Sequence, residues 1–207
     1  GRGLADLIET PPQTGGSFVM LRTEQIRTGR RQPRTTFNAQ ALEELKASIR
    51  RQGIIEPVIV RPIAHGTYEL VAGERRLRAA QALGIREVPA VVKSLSDKEA
   101  LELSLIENVQ REDLNPLEEA RGYEKLLGEF GYTQEQIAEA VSKDRATIAN
   151  ALRLLKLPEE IQKALGEGAV TAGHAKALLA IEDTAAQLAL CRRAITQALS
   201  VRQLEAL

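Results

Sequence analysis

Val71-Ala72-Gly73-Glu74-Arg75-Arg76-Leu77-Arg78-Ala79 is the stretch on which the fold of the first half of the chain turns. The residues leading into it, from Tyr68, read as a strand. Gly73 then turns the chain and a helix runs on through Leu83 until Gly84 stops it. A strand passed through glycine into a helix predicts a mixed α/β layer. The same junction predicts chemistry. The first-turn amides of a helix have no partner within it, and its dipole makes that end positive. Gly73 lets an anion come close to the backbone, and Arg75 and Arg76 add two guanidinium groups, a combination suited to a di- or triphosphate. Glu74 can orient a water or a metal. There is no Gly-Lys-Ser/Thr, so this is not a Walker loop. The competing reading is a solvated basic helix start.

Outward from that junction, residues 18 to about 95 keep a mixed pattern. Phe18-Val19-Met20-Leu21, Pro57-Val58-Ile59-Val60-Arg61-Pro62 and Val88-Pro89-Ala90-Val91-Val92 read as strands, with Pro89 predicting an edge or strand-start position. Asn38 is placed to cap a helix whose buried face carries Leu42, Leu45 and Ile49, with Gly53 ending it. Residues 1–20, with Pro11-Pro12 and Gly15-Gly16, predict a weakly structured tail. After residue 95 the strand signal disappears. Ser96-Asp97-Lys98-Glu99, Asn115-Pro116 with Glu118, and Thr133-Gln134-Glu135-Gln136 are helix starts. The expected class is therefore α+β, a small mixed α/β nucleotide-binding domain followed by an all-α one. The expected division is 1–20, 21–112 and 113–207.

The second telling stretch is residues 133–155. A short helix carries Ile137 and the small Ala138, Val141-Ser142 turn the chain, and a second helix carries Ile148, Leu152 and Leu155. This is the spacing of a DNA-reading helix-turn-helix, whose second helix offers its first residues to base edges. The outward positions are Lys143, Asp144, Arg145, Thr147 and Asn150. Arg145 suits guanine, and Asn150 suits adenine or a phosphate. A plain helical hairpin with a solvated face is the competing reading. Downstream, Thr171-Ala172-Gly173-His174-Ala175-Lys176 starts a helix with a hydroxyl, a glycine and two basic residues. Thr171, Gly173, His174 and Lys176 are therefore candidate phosphate contacts, or simply parts of a capped helix.

Two further clusters qualify for the phosphate site. Arg30-Arg31-Gln32-Pro33-Arg34 is a basic loop fixed by proline. Glu107-Asn108-Val109-Gln110-Arg111 puts a carboxylate, an amide and an arginine within five residues, and the hard oxygens of Glu107 and Asn108 suit Mg²⁺.

Composition narrows the classes. In 207 residues there are 28 cations and 28 anions, for a net charge of zero, which taken alone counts against a nucleic-acid partner. Yet 20 of the 28 cations are arginine, the side chain that forks onto phosphate and guanine. Aromatic residues make up 3% and tryptophan is absent, which weakens modules that stack bases on aromatic rings. Cys191 is the only cysteine, so no internal disulfide forms, and it lies among apolar helix positions. His65 and His174 are too few and too far apart for zinc. No run is long enough to span a membrane and no apolar signal region is present, so a cytoplasmic protein is expected.

At these motifs the sequence resembles the ParB family. Residues 73–79 resemble its GERRxRA box and residues 107–111 its ENxQR box, the latter followed by the family-like Asp113-Leu114-Asn115-Pro116-Leu117-Glu118-Glu119-Ala120. Gln32-Pro33-Arg34 resembles its QPR loop. The helix-turn-helix and residues 171–175 fall in the family's order. The resemblance implies a fold that binds CTP with Mg²⁺ and slowly hydrolyses it to CDP. It implies recognition of palindromic parS DNA by a homodimer whose N-terminal domains close as a sliding clamp. By position it makes Gln32, Glu74 and Glu107 hydrolytic residues. It makes Arg34, Gly73, Arg75, Arg76, Asn108 and Arg111 nucleotide or metal contacts. It also implies that the tail from Arg2 to Ile8 touches a ParA-like ATPase. The family's C-terminal dimerisation domain is expected to be missing, since the chain stops at Leu204-Glu205-Ala206-Leu207. A nucleoid-occlusion or transcriptional relative with another DNA site fits the same motifs. A sulfiredoxin-like or kinase-like phosphotransferase is a third reading, and sulfiredoxin chemistry needs a cysteine where Glu74 stands, which counts against it. The expected mechanism is that nucleotide phosphates join residues 73–76 to residues 107–111, so that nucleotide state resets the DNA reader.

Overall fold

The computed structural model describes residues 16–28, 39–64, 66–111 and 114–207. The chain divides into two compact units, Gly1–Ser104 and Leu105–Leu207.

Among the described residues, the first unit holds a five-stranded mixed sheet. Its strands are β1 (Ser17–Arg22), β2 (Ile26–Thr28), β3 (Val58–Pro62), β4 (Tyr68–Ala72) and β5 (Glu87–Val92), in the order β1-β5-β3-β4-β2. The β1–β5 and β3–β4 pairs are antiparallel, and the β3–β5 and β2–β4 pairs are parallel. Helices α1 (Ala39–Gln52) and α2 (Glu74–Ala82) pack on each other. Strand alternation turns Val58, Val60, Leu70, Val88 and Ala90 to one face, where Leu77 and Ala80 of α2 meet them. On β1, Leu21 is buried whereas Phe18 and Met20 are exposed.

Two expectations need correction. The weakly structured tail expected over residues 1–20 stops short, because Ser17–Met20 already belong to β1 and pair with β5. Pro89 lies at neither an edge nor a strand start. β5 sits between β1 and β3, and Pro89 is the third of its six residues. Its missing N–H is tolerated because pairing with β3 begins one residue later, at Ala90 opposite Val58. The sequence pattern also gives no sign of β2, three residues that pair with β4 from Ile26 opposite Tyr68 to Thr28 opposite Leu70. The Asn38 cap lies outside the described residues.

α3 (Asp97–Val109) runs through the division between the units. The second unit is helical: α4 (Pro116–Phe130), α5 (Gln134–Ala140), α6 (Arg145–Leu154), α7 (Glu159–Gly166), α8 (Ala172–Leu178), α9 (Thr184–Thr196) and α10 (Val201–Glu205). The helix starts read from sequence are real caps. Asn115 Oδ1 accepts from the amides of Leu117 and Glu118, while Glu118 accepts from the Asn115 amide. Two cores form. One gathers Val109, Tyr123, Leu126, Ile137, Val141 and Ile148. The other gathers Leu154, Leu157, Ile161, Leu178 and Cys191 among others. Burial raises the pKa of the Cys191 thiol, as befits a packing residue rather than a nucleophile.

Gly122 of α4 sits against the end of α3 so closely that a Cβ there would land within the Val109 side chain. Gly122→Ala is therefore expected to destabilise the protein by about 1–2 kcal/mol, because overpacking outweighs alanine's better helix propensity. Denaturant unfolding should show a smaller cost in a Val109→Ala background, where the room exists.

Arg192 of α9 forks onto Glu160 of α7, with Nε to Oε1 at 2.7 Å and Nη2 to Oε2 at 2.8 Å. The hydrogen bonds from Arg192 hold the Glu160 carboxyl below its ordinary range. A carboxylate whose folded pKa is depressed adds stability above its unfolded pKa, and that stability is lost as pH falls through the folded value. Thermal melts between pH 6 and 3 should therefore fall less steeply for Glu160→Gln than for the parent.

Candidate functional site

In the first unit the candidate phosphate site begins where β4 ends. Gly73 takes φ 93° and ψ 30°, a left-handed conformation that suits glycine. A Cβ there would also come to 3.1 Å from Val58 Cγ1. As N-cap of α2, Gly73 has no side chain to offer the first-turn amides. Glu74 is mostly buried, at 13% side-chain exposure, and its Oε1 lies 2.5 Å from Arg78 Nη2 one turn on. Arg76 Nη1 donates to the carbonyls of Glu56 (3.1 Å) and Pro57 (2.7 Å), and its Nη2 lies 2.7 Å from Glu56 Oε2. Arg76 thus staples α2 to the chain entering β3, and a phosphate reaching it must compete with Glu56. Arg75 is half-buried on the same first turn. Gln32 and Arg34 lie outside the described residues.

In the second unit, Glu107 and Asn108 occupy the last turn of α3, both half-buried, with Arg111 just beyond. Arg111 Nη1 donates to Asn108 Oδ1 at 3.3 Å. Gln110 Nε2 donates to the Ala140 carbonyl at 2.7 Å, which ties the end of α3 to the end of α5.

The helix-turn-helix is built as its sequence predicts. Thr133 and Gln136 form the capping box that starts α5. Ile137 and Ile148 are fully buried and Ala138 and Val141 nearly so, which locks α5 against α6. Ser142 makes the turn at φ 54°, in the left-handed region. Lys143, Asp144, Arg145 and Thr147 are exposed, and Asn150 is half-buried. Two of the cations are already paired. Lys143 Nζ contacts Glu119 Oε1 of α4. Arg145 Nε lies 3.0 Å from Glu135 Oε1, with both side chains mostly exposed. The buried Tyr123 hydroxyl donates to the same Glu119 oxygen at 2.5 Å. Burial, and then that hydrogen bond, drive its pKa upward. Asp144 is the N-cap of α6, yet its carboxylate makes no capping bond.

At α8, the Thr171 amide donates to His174 Nδ1 (3.2 Å), and the His174 amide donates to Thr171 Oγ1 (3.4 Å). Nδ1 being an acceptor, the ring proton sits on Nε2, which donates to the Leu199 carbonyl at 2.9 Å. Histidine takes the place that Glu usually fills in a capping box. A Cβ on Gly173 would come to 2.9 Å from Val201 Cγ2, so this glycine lets α10 approach α8. Both residues therefore have structural roles. Lys176 is exposed.

The ParB N-terminal domain matches residues 10–109, and the ParB HTH domain matches residues 112–207. The chromosome-partitioning protein Spo0J of Thermus thermophilus is 55% identical over 207 residues, covering 100% of this chain and 75% of that protein. The chain belongs to the ParB family. Among ParB-family structures, that of the C-terminally truncated Caulobacter crescentus ParB complexed to the centromeric parS site is 45% identical. It covers 91% of this chain and 97% of that one, with a TM-score of 0.81. The nucleoid occlusion protein of Geobacillus thermodenitrificans is 49% identical over 174 residues, covering 84% of this chain and 62% of that protein.

For a ParB-family chain that is to handle a nucleotide, the donor set limits how Mg²⁺ can be held. Among the described residues no group of three or more His, Cys, Asp or Glu could form a cage. One carboxylate and one amide oxygen, from Glu107 and Asn108, fit a cation that arrives with phosphates and waters. Residues 73–76 belong to the first unit, and residues 107–111 and the DNA-reading helices to the second. Among the described residues no helix is long and apolar enough to cross a membrane. Sequence reading misses Glu119, whose partners lie on two other turns of the fold. It also misses Arg61, which in the sequence is an ordinary outward strand position.

Proposed function

We propose that this ParB-family chain is a chromosome-partition protein that binds palindromic parS-type DNA as a homodimer and uses CTP with Mg²⁺ to close into a clamp. The observation that carries the DNA half is the α5–α6 pair, its core tight and the first residues of its second helix turned to solvent. The similarity to a parS-bound relative supports the choice of target. In this reading Arg145 leaves Glu135 for a base edge, Lys143 leaves Glu119 for a phosphate, and Asp144, Thr147 and Asn150 line the same surface. Thr171, Gly173 and His174 shape the start of α8 against the backbone, with Lys176 as its cation. The tail from Arg2 to Ile8 engages a ParA-like ATPase.

The nucleotide half rests on the Gly73 helix start and on the family's motifs at residues 32–34, 73–79 and 107–111. Gly73 lets the phosphates approach the backbone, and Arg34, Arg75, Arg76 and Arg111 supply charge. Glu107 and Asn108 hold Mg²⁺, which when bound screens the phosphate charge. Hydrolysis to CDP forms a bond from water oxygen to the terminal phosphorus and breaks the bond from that phosphorus to the bridging oxygen. Positioning dominates such a step, and in this reading Gln32, Glu74 and Glu107 orient the water. The proposed domains are a tail that ends where β1 begins at Ser17, a CTP-binding domain from there to 112 and a parS-binding domain at 113–207.

The similarity to a nucleoid occlusion protein favours a second reading, the same machine with another DNA site. Turnover of all four nucleoside triphosphates, with and without parS DNA, tests the proposal. Turnover selective for CTP and raised by parS supports it, whereas equal turnover or none removes the nucleotide half. Competition between parS and unrelated operators separates the two DNA readings.

A further inference from the structure

We infer that Arg61 is a positioning residue that ties together the roots of both proposed nucleotide-binding segments, an inference that rests on the reading above. Arg61 stands directly opposite Glu69 across the β3–β4 pair. Its Nε donates to Glu69 Oε2 at 2.7 Å, and Nη2 lies 2.5 Å from the same oxygen. Its other arm points along the sheet, where Nη1 lies 2.6 Å from Asp97 Oδ1 and donates to the Leu95 carbonyl at 3.3 Å. The Arg61 side chain is 14% exposed, so its charge is largely withdrawn from water and its donors are spent on these oxygens. The hydrogen bond to Glu69, and more weakly the one to Asp97, hold the guanidinium firmly protonated.

Each partner leads along the chain into one of the two segments. Glu69 lies four residues before Gly73 on β4, which delivers the α2 start. Asp97 is the first residue of α3, whose last turn carries Glu107 and Asn108. One guanidinium therefore fixes where β4 and α3 begin relative to each other. The rest of the α3 start is a local device that cannot do this: Ser96 and Glu99 cap each other through Ser96 N to Glu99 Oε2 at 2.8 Å and Glu99 N to Ser96 Oγ at 3.3 Å. That box makes the turn helical but does not attach it to the sheet. The two arms differ in strength. Glu69 is partly buried, whereas Asp97 is 94% exposed, so Asp97 is the contact that yields first.

Asp97 can be changed without touching the core, which makes it the test. Asp97→Ala should weaken CTP binding about 2- to 5-fold, the range of an exposed ion pair, and should speed hydrogen exchange in the first turn of α3. Affinity for parS and the melting temperature should hold. Asp97→Asn, which keeps an acceptor, should recover part of the loss. In an Arg61→Met background, Asp97→Ala should have no further effect. A contribution of Asp97 to the helix dipole alone would persist there. Unchanged CTP affinity in Asp97→Ala, or an effect that persists in Arg61→Met, overturns the inference while leaving the nucleotide site in place. If Arg75→Ala also binds CTP normally, the nucleotide site itself is wrong and the inference falls with it.

Discussion

Arg75→Ala is expected to lose most CTP binding, with affinity down by about 30- to 800-fold, while parS affinity stays within about twofold. The expectation comes from where the residue sits. Gly73 leaves the start of α2 without a side-chain cap, and Arg75 lies on that first turn, half-buried. Its neighbour Arg76 is committed to Glu56 and Pro57. A forked, charge-assisted contact to phosphate from a partly desolvated guanidinium is worth about 2–4 kcal/mol. Lysine should restore little, since it lacks the fork. The helix-turn-helix core contains no residue of α2, so DNA reading should survive. Titration calorimetry with CTP, paired with a parS binding curve, checks both halves. Unchanged CTP affinity would remove Arg75 from the site.

The second large effect is expected at Arg145. Arg145→Ala should reduce discrimination between parS and a scrambled site by about 1–3 kcal/mol, the value of a bidentate contact to guanine, or roughly 5- to 150-fold. Part of the gain from that contact is spent in releasing Glu135. Both side chains are mostly exposed, so the pair is worth under about 1 kcal/mol and does not cancel the effect. Loss of discrimination marks a base contact. An equal drop on both sequences with a shallower salt slope marks a phosphate contact instead. Binding curves at several salt concentrations distinguish the two.

How much of the molecule is legible in its sequence depends on the range of the forces involved. The strand-glycine-helix junction, the capping boxes at Ser96, Asn115 and Thr133, and the Ile137–Ile148 packing are local or short-period signals, and each is present in the structure. The errors are long-range. β2 is three residues long, too short for alternation, and owes its existence to a parallel partner about forty residues away. Pro89 suggests an edge when its missing N–H is judged alone, whereas the register places it just ahead of the β3 ladder. For His174 and Gly173, the proposed phosphate contact stands beside a structural role that the sequence does not show. Only the fold reveals Leu199 and Val201 against them. The Lys143 contact of Glu119 and the Asp97 contact of Arg61 share this character, since a helix carboxylate or a strand arginine gives no local hint of partners brought to it from more than twenty residues away. For the nucleotide site, the residue types and their order come from sequence. The pairings of Glu74 with Arg78 and of Asn108 with Arg111, which a ligand must exchange or exploit, come from the structure.

The proposed switch requires that a single CTP be gripped by residues 73–76 and by residues 107–111 together. Hydrogen exchange read by mass spectrometry across a CTP titration examines that grip without any mutation. Both segments should gain protection along one binding curve with a common midpoint. Protection confined to one segment, or two curves with separate midpoints, would contradict a shared grip.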